Sequence, residues 1–159
     1  ATPQMITANA KLKPEVKIAW LKMLREMNES RHNTESYDYL CTVHGQMTIE
    51  GTLCELCARM SKINKMQWEV IKAPNCADPA YEVLAIQGLA ITPPAAVFEW
   101  AFETLPEKNE DDGYTIELNA KCFLDADETD YNLSLSLFDL DEILQMTFTE
   151  AADAIEKTL

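Results

Sequence analysis

Between Tyr114 and Leu137 the hydrophobic residues recur at every second position, and this restricts the fold more than any other feature of the chain. Tyr114, Ile116, Leu118, Ala120, Cys122 and Leu124 alternate with Thr115, Glu117, Asn119 and Lys121. After the loop DADETD, Tyr131, Leu133, Leu135 and Leu137 alternate with Asn132, Ser134 and Ser136. Side chains along a strand point to opposite faces in turn, so each run has one apolar and one polar face. A loop this short joins them as an antiparallel pair, whose apolar face needs a helical cover.

Helical spacing supplies that cover. Behind Pro14, a favoured first-turn residue, Val16, Trp20, Met23, Leu24 and Met27 predict a helix from about Pro14 to Met27. Thr48 can cap a second helix, Thr48 to Ser61, with Ile49, Leu53, Leu56, Cys57 and Met60 as its stripe. Thr92 and the two prolines after it start a third, from about Pro93 to Thr104, carrying Val97, Phe98, Ala101 and Phe102. Thr147 and Glu150 form a capping box for a last helix, Phe148 to Thr158. Tyr37 to Val43 and the stretch around Trp68, Val70 and Ile71 read as short strands, and Pro79 to Ile86 as one or two helical turns. Asn28 to Ser36 reads as a loop with His32 on the surface, and residues 1–12 as an irregular arm.

The expectation is a single α+β domain over residues 13–159, an antiparallel hairpin or small sheet packed against several short helices. The Thr48–Ser61 helix is expected on the hairpin. Trp20, Leu53, Leu56, Phe98, Ile116, Leu118, Leu135 and Ile155 are expected to be buried. At 159 residues the chain suits one core. It has no apolar run near the roughly 20 residues of a membrane span, and the opening ATPQMITANAKLKPE lacks a signal-peptide core. Five cysteines, an odd number with uneven spacing, point to reduced thiols in a cytosol rather than to a disulfide framework.

Charge divides the chain. Residues 1–72 carry ten Lys or Arg against eight Asp or Glu, whereas residues 73–159 carry three against nineteen, and the whole has a net charge of −14. An acidic half of this kind repels nucleic acid and anionic membrane and attracts basic protein surfaces.

The richest stretch chemically is Leu40 to Met60, LCTVHGQMTIEGTLCELCARM. Cys41 and His44 are separated by two residues, Cys54 and Cys57 likewise, which is the order and spacing of a Cys3His zinc site. The same residues also read as core cysteines on a helix, one strand cysteine and a surface histidine. Both readings stay open, so the expected cofactor is none, or one structural zinc. For a cysteine nucleophile His44 is the nearby base, but no third orienting group accompanies it. DADETD lacks the glycine and spaced glutamate of a calcium loop, and the chain has neither a P-loop nor G-x-G-x-x-G.

Four separated stretches carry a family resemblance. KPEVKIAWLKMLR (Lys13 to Arg25) resembles an N-P-E-V-K…W…A-L-R opening, EGTLCELCA (Glu50 to Ala58) a C-L-G-V-L-C-D-L-Y helix, and downstream PPAAVFEWA and TFTEAADAIEKTL resemble P-x-x-V-x-x-W-A and S-F-x-E-I-A-D-x-I-E segments. These belong to an uncharacterised family of small tailed-bacteriophage proteins. Here Lys13 stands for the family's capping asparagine, Thr48 and Ile49 replace two family cysteines, and the acidic hairpin has no counterpart. The resemblance implies phage origin and an α+β domain, and no activity.

Together these readings give an expected function. The chain is a non-catalytic phage protein in the host bacterial cytoplasm, binding a host protein with a basic surface through a DNA-mimicking acidic face and inhibiting a nucleic-acid-handling or defence machine. Direct nucleic-acid or membrane binding is not expected. A zinc-stabilised module is the alternative, and an enzyme the third reading. The expected partner-binding residues are Glu107, Glu110, Asp111, Asp112, Asp125, Asp127, Glu128 and Asp130, in turns at the two ends of one strand, some 35 Å apart at roughly 3.3 Å per residue.

Overall fold

The computed structural model describes residues 3–35, 38–123 and 130–159. In chain order the first elements are β1 (Gln4–Ala8), β2 (Lys11–Leu12), α1 (Pro14–Glu26), β3 (Cys41–Thr42), α2 (Ile49–Met60), β4 (Trp68–Lys72) and β5 (Glu82–Ile86). Then follow α3 (Ala95–Ala101), β6 (Phe102–Thr104), β7 (Glu117–Phe123), β8 (Asp130–Ser136), α4 (Leu137–Glu142) and α5 (Phe148–Thr158). The fold is α+β, built from small antiparallel sheets and short helices.

The alternating runs form the expected antiparallel pair. Leu118 lies opposite Leu135 and Ala120 opposite Leu133. The segment expected to be a loose arm supplies the third strand of this sheet, because β1 pairs with the free edge of β7, Gln4 opposite Lys121 and Ala8 opposite Leu118. Met5 is buried, and the Asn9 side chain and main chain hold the Glu117 backbone at 2.9 and 3.1 Å. Short β2 pairs with β6, so the helix expected to reach Thr104 instead ends at Ala101 and the chain continues as a strand.

α5 lies over β1 and alongside α1. Leu12 N–H donates to the Leu159 carbonyl at 3.0 Å, and Lys17 Nζ to that of Glu156 at 2.9 Å. α2 is the centre of the molecule. It packs against α1, α3 and α4 rather than principally on the hairpin, a correction to the expected arrangement. The reason is α4, which the strand pattern conceals: Leu137, read as the last alternating residue, is the first of a helix whose Leu137 and Leu140 are buried. Ser136 caps this helix with Asp139 in a reciprocal capping box, which ends β8 there. Between α1 and α2, Trp20 Nε1 donates to Thr52 Oγ1 at 2.9 Å, satisfying both buried groups.

The third sheet has the order β3-β5-β4. Its central strand β5 falls where one or two helical turns were expected. The apolar run VLAI fits either period, and pairing along the whole of β4 makes it a strand, with Val83 and Ala85 packed against Tyr39 and Ala90. All eight residues expected in the core are buried.

Candidate functional site

Two side chains hold the first turn of α2. Thr48 Oγ1 accepts from Gly51 N–H at 3.2 Å, the expected cap. Ile49 N–H, a second free donor of that turn, is taken by Asp141 Oδ2 from α4 at 2.8 Å. The other oxygen of Asp141 lies 2.6 Å from His32 Nε2, while His32 Nδ1 lies 3.1 Å from Glu29 Oε2. Glu29 Oε1 accepts from Phe148 N–H at the start of α5 at 2.6 Å. His32, expected on the surface, is therefore buried, and its ring stacks on Phe148 with centroids 4.2 Å apart.

Carboxylates at both ring nitrogens favour the imidazolium, the form that donates from both. Burial pulls its pKa down, but the hydrogen bond and charge of Asp141, followed by those of Glu29, outweigh burial and leave it raised. The network ties the segment after α1 to α2, α4 and α5.

Beside it opens a cleft of about 620 Å³. It lies between the first turn of α2, the 89–95 loop, the turn and strand lead-in at 109–116, and the junction of β8 with α4. Leu89, Pro93, Tyr114, Ile116, Leu137 and Phe138 supply apolar wall. Asp38, Glu50, Asp111 and Asp112 supply carboxylates, and no Lys, Arg or His is among the described residues that line it. The acidic turn is rigidly built: Asn109 Oδ1 accepts from the N–H groups of both Asp111 and Gly113 at 3.0 Å, which sets Asp111 and Asp112 at the rim.

Glu50 is the unusual member. It is half-buried in the first turn of α2, and its carboxyl makes no hydrogen bond or ion pair among the described residues. Burial, followed by the charges of Asp141 and Asp139, pushes its pKa up to about 8. A strongly perturbed carboxyl in an apolar-walled cleft is the pattern of a ligand site.

Among the expected partner-binding residues, Asp111 and Asp112 line the cleft, and Glu107 and Glu110 are exposed on the segment leading to it. Asp125, Asp127 and Glu128 lie outside the described residues, and Asp130 begins β8.

The four expected metal ligands are not gathered: the described residues contain no group of three or more His, Cys, Asp or Glu that could hold a metal ion. Gly45, at φ +80°, closes a turn with its N–H on the Thr42 carbonyl, and the neighbouring His44 is exposed. Cys54 and Cys57 face the other way, into the core on α2. Burial pushes the Cys41 thiol up to about 12 and, with the Glu50 charge second, the Cys54 thiol well above its usual range, while Cys57 is raised by burial against a hydrogen bond to Ser61. Cys41, Cys54, Cys57 and Cys76 are free thiols.

Sequence reasoning passed over Glu50, Asp38 and Asp141. One signal was present: Ile49, Gly51, Thr52, Leu53, Cys54, Leu56 and Cys57 leave α2 almost no polar face, so a glutamate at its start had to be near the core.

Compared with models of known protein families, with curated proteins and with solved structures, the chain matches none of them. No helix among the described residues is long and apolar enough to cross a membrane.

Proposed function

We propose that this chain is a non-catalytic binding protein whose acidic face engages a basic surface on another protein. The phage resemblance implies the origin alone; with that origin and the acidic charge, the partner we propose is a host protein in a bacterial cell that handles nucleic acid or serves in defence. The observation that carries this reading is the cleft with four carboxyl side chains and no cation among the described residues that line it, continuous through Asp111 and Asp112 with the exposed turn that bears Glu107 and Glu110. Exposed carboxylates of one sign accelerate encounter with a basic partner and suppress binding to anions such as nucleic acid. The thiols of Cys41, Cys54 and Cys57 support a non-catalytic role, since burial disfavours the thiolate of each.

Simultaneous reversal of Glu107, Glu110, Asp111 and Asp112 to Lys tests the reading. Substitutions at exposed positions change stability by about 0.5 kcal/mol or less each, with somewhat more at Asp112, whose backbone is left-handed at φ +59°, so the variant should fold. Pull-downs from bacterial lysate, with wild type and variant side by side at low and moderate salt, should then lose the specific partner in the variant. Equal retention of one partner by both proteins at both salt concentrations would reduce the acidic face to a solubilising surface.

A further inference from the structure

We infer that the cleft is the anchoring site for an arginine side chain of the partner polypeptide, seated with its apolar neighbours against the cleft walls. The inference rests on the binding reading above and specifies where that binding is anchored.

Charge complementarity selects a cation, because Asp38, Glu50, Asp111 and Asp112 surround the space and no cationic side chain lines it. The nearest lysine of the acidic turn, Lys108, sits over the Tyr114 ring, 5.6 Å from its centroid, and is not among the lining residues. Neighbouring acceptors are already used: Asp141 holds Ile49 N–H and His32, and Thr48 holds Gly51 N–H. Of the four lining carboxyls among the described residues, Asp38, Asp111 and Asp112 are exposed to solvent, and Glu50 presents a partly buried one that makes no hydrogen bond. A guanidinium suits it because the group is planar, stays charged, offers paired donors to a carboxylate and is weakly hydrated.

The shape favours a polypeptide over a small free cation. About 620 Å³ accommodates an arginine together with flanking apolar residues. Leu89 and Ile91 stand on the cleft wall 43% and 38% exposed, an apolar contact that a bare amine would not use. The cleft also runs directly into the acidic turn that faces a larger partner.

Binding should release a proton. Burial and the α4 carboxylates Asp139 and Asp141 keep Glu50 largely protonated at pH 7. Asp38, Asp111 and Asp112 face the same cleft, and the cation beyond Asp141 is His32, already engaged by two carboxylates. An arriving guanidinium stabilises the ionised form of Glu50, so its proton passes to buffer and affinity rises with pH.

The probe is an acetylated, amidated Leu-Arg-Phe peptide, titrated calorimetrically at pH 7, 8 and 9 in buffers of different ionisation enthalpy. Arginine does not titrate in this range. Wild type should bind with proton release at pH 7 and gain about tenfold in affinity by pH 9, as the ionised fraction of Glu50 rises. Glu50→Gln should bind several-fold more weakly, with a flat pH profile and no release; Leu89→Ser should bind more weakly while keeping the pH profile.

Three outcomes would overturn the proposal. One is no binding by wild type. Another is equal binding by wild type and Glu50→Gln without pH dependence. The third is displacement of the peptide by agmatine or spermidine at matched affinity with the same proton release, which would assign the cleft to small cations. A Glu107→Lys/Glu110→Lys variant, altered outside the cleft lining, separates the two readings. If it loses a protein partner that Glu50→Gln retains, the acidic face functions and the cleft does not; if both variants retain that partner fully, both readings fail.

Discussion

Asp141→Ala should lower folding stability by about 3–5 kcal/mol, the range for removing one partner from a buried, hydrogen-bonded charge pair. Asp141 is 1% exposed and serves two elements at once, capping Ile49 N–H and holding His32. Its loss leaves a buried imidazolium with Glu29 as its remaining partner and the α2 terminus with an open donor. For a chain of this length each kcal/mol corresponds to about 2–4 °C in Tm, so thermal unfolding will resolve the change easily.

The same network gives stability a pH dependence of definite sign. The folded pKa of His32 is raised, so the folded state holds the proton more tightly than the unfolded chain. That contribution is complete below about pH 6.5, the value of an unperturbed histidine, and is lost as pH rises through the higher folded value. Glu50 acts in the same direction, over the window between an ordinary glutamate near pH 4.3 and its folded value of about 8. Denaturant unfolding should therefore show wild type losing stability from about pH 5 to pH 9. Glu50→Gln should flatten the slope below pH 6.5, where Glu50 acts alone, and His32→Gln should reduce but not abolish the part above pH 6.5, where Glu50 still contributes up to about pH 8; a wild-type stability that rises over this interval would contradict both assignments.

Gly51→Ala should be comparably damaging for a different reason. A Cβ at position 51 would lie 2.1 Å from the Leu40 carbonyl oxygen and 3.0 Å from its carbon, and 3.3 Å from Met47 Cβ. The first two are backbone atoms and cannot rotate away. Leu40 O is also the acceptor for Thr48 N–H at 3.1 Å, so moving it disturbs the cap of α2. Overpacking a close-packed core costs about 1–3 kcal/mol where side chains can adjust, and contact with a fixed carbonyl places this variant at or above the top of that range. Alanine is otherwise the better helix former by about 1 kcal/mol, so a neutral or stabilising result in denaturant unfolding would show that the Leu40 segment can yield.

The parts of this structure that are legible in the sequence are those set by local chemistry. Thr48 and the Thr147–Glu150 box terminate their helices where their side chains can reach the backbone, within three residues, and α5 spans the same Phe148–Thr158 that its pattern marks. The strand pair is legible because one apolar face is buried, which fixes its register.

What escapes is set by long-range pairing. β1 carries little hydrophobic signal of its own and is a strand because β7 offers it an edge. His32 and Asp141 are 109 residues apart, and nothing near His32 in sequence marks it as a buried cation. The spacing of α2 marks its apolar stripe and says nothing of where Glu50 lies, whereas the helix is enclosed by α1, α3 and α4 and Glu50 lines a cleft. The cysteine and histidine spacing is real in sequence, yet a helix turns Cys54 and Cys57 inward while the glycine turn leaves His44 exposed.

The cleft's fitness for a cationic partner turns most directly on the state of one carboxyl, which can be observed by carbon NMR of protein labelled at the glutamate side-chain carboxyls, assigned by comparison with Glu50→Gln. In free protein the Glu50 resonance should titrate with a midpoint near pH 8, and the saturating arginine peptide should move that midpoint downward. A Glu50 midpoint in the ordinary glutamate range near pH 4.3, unmoved by the peptide, would contradict the cleft as a poised site for a cationic partner.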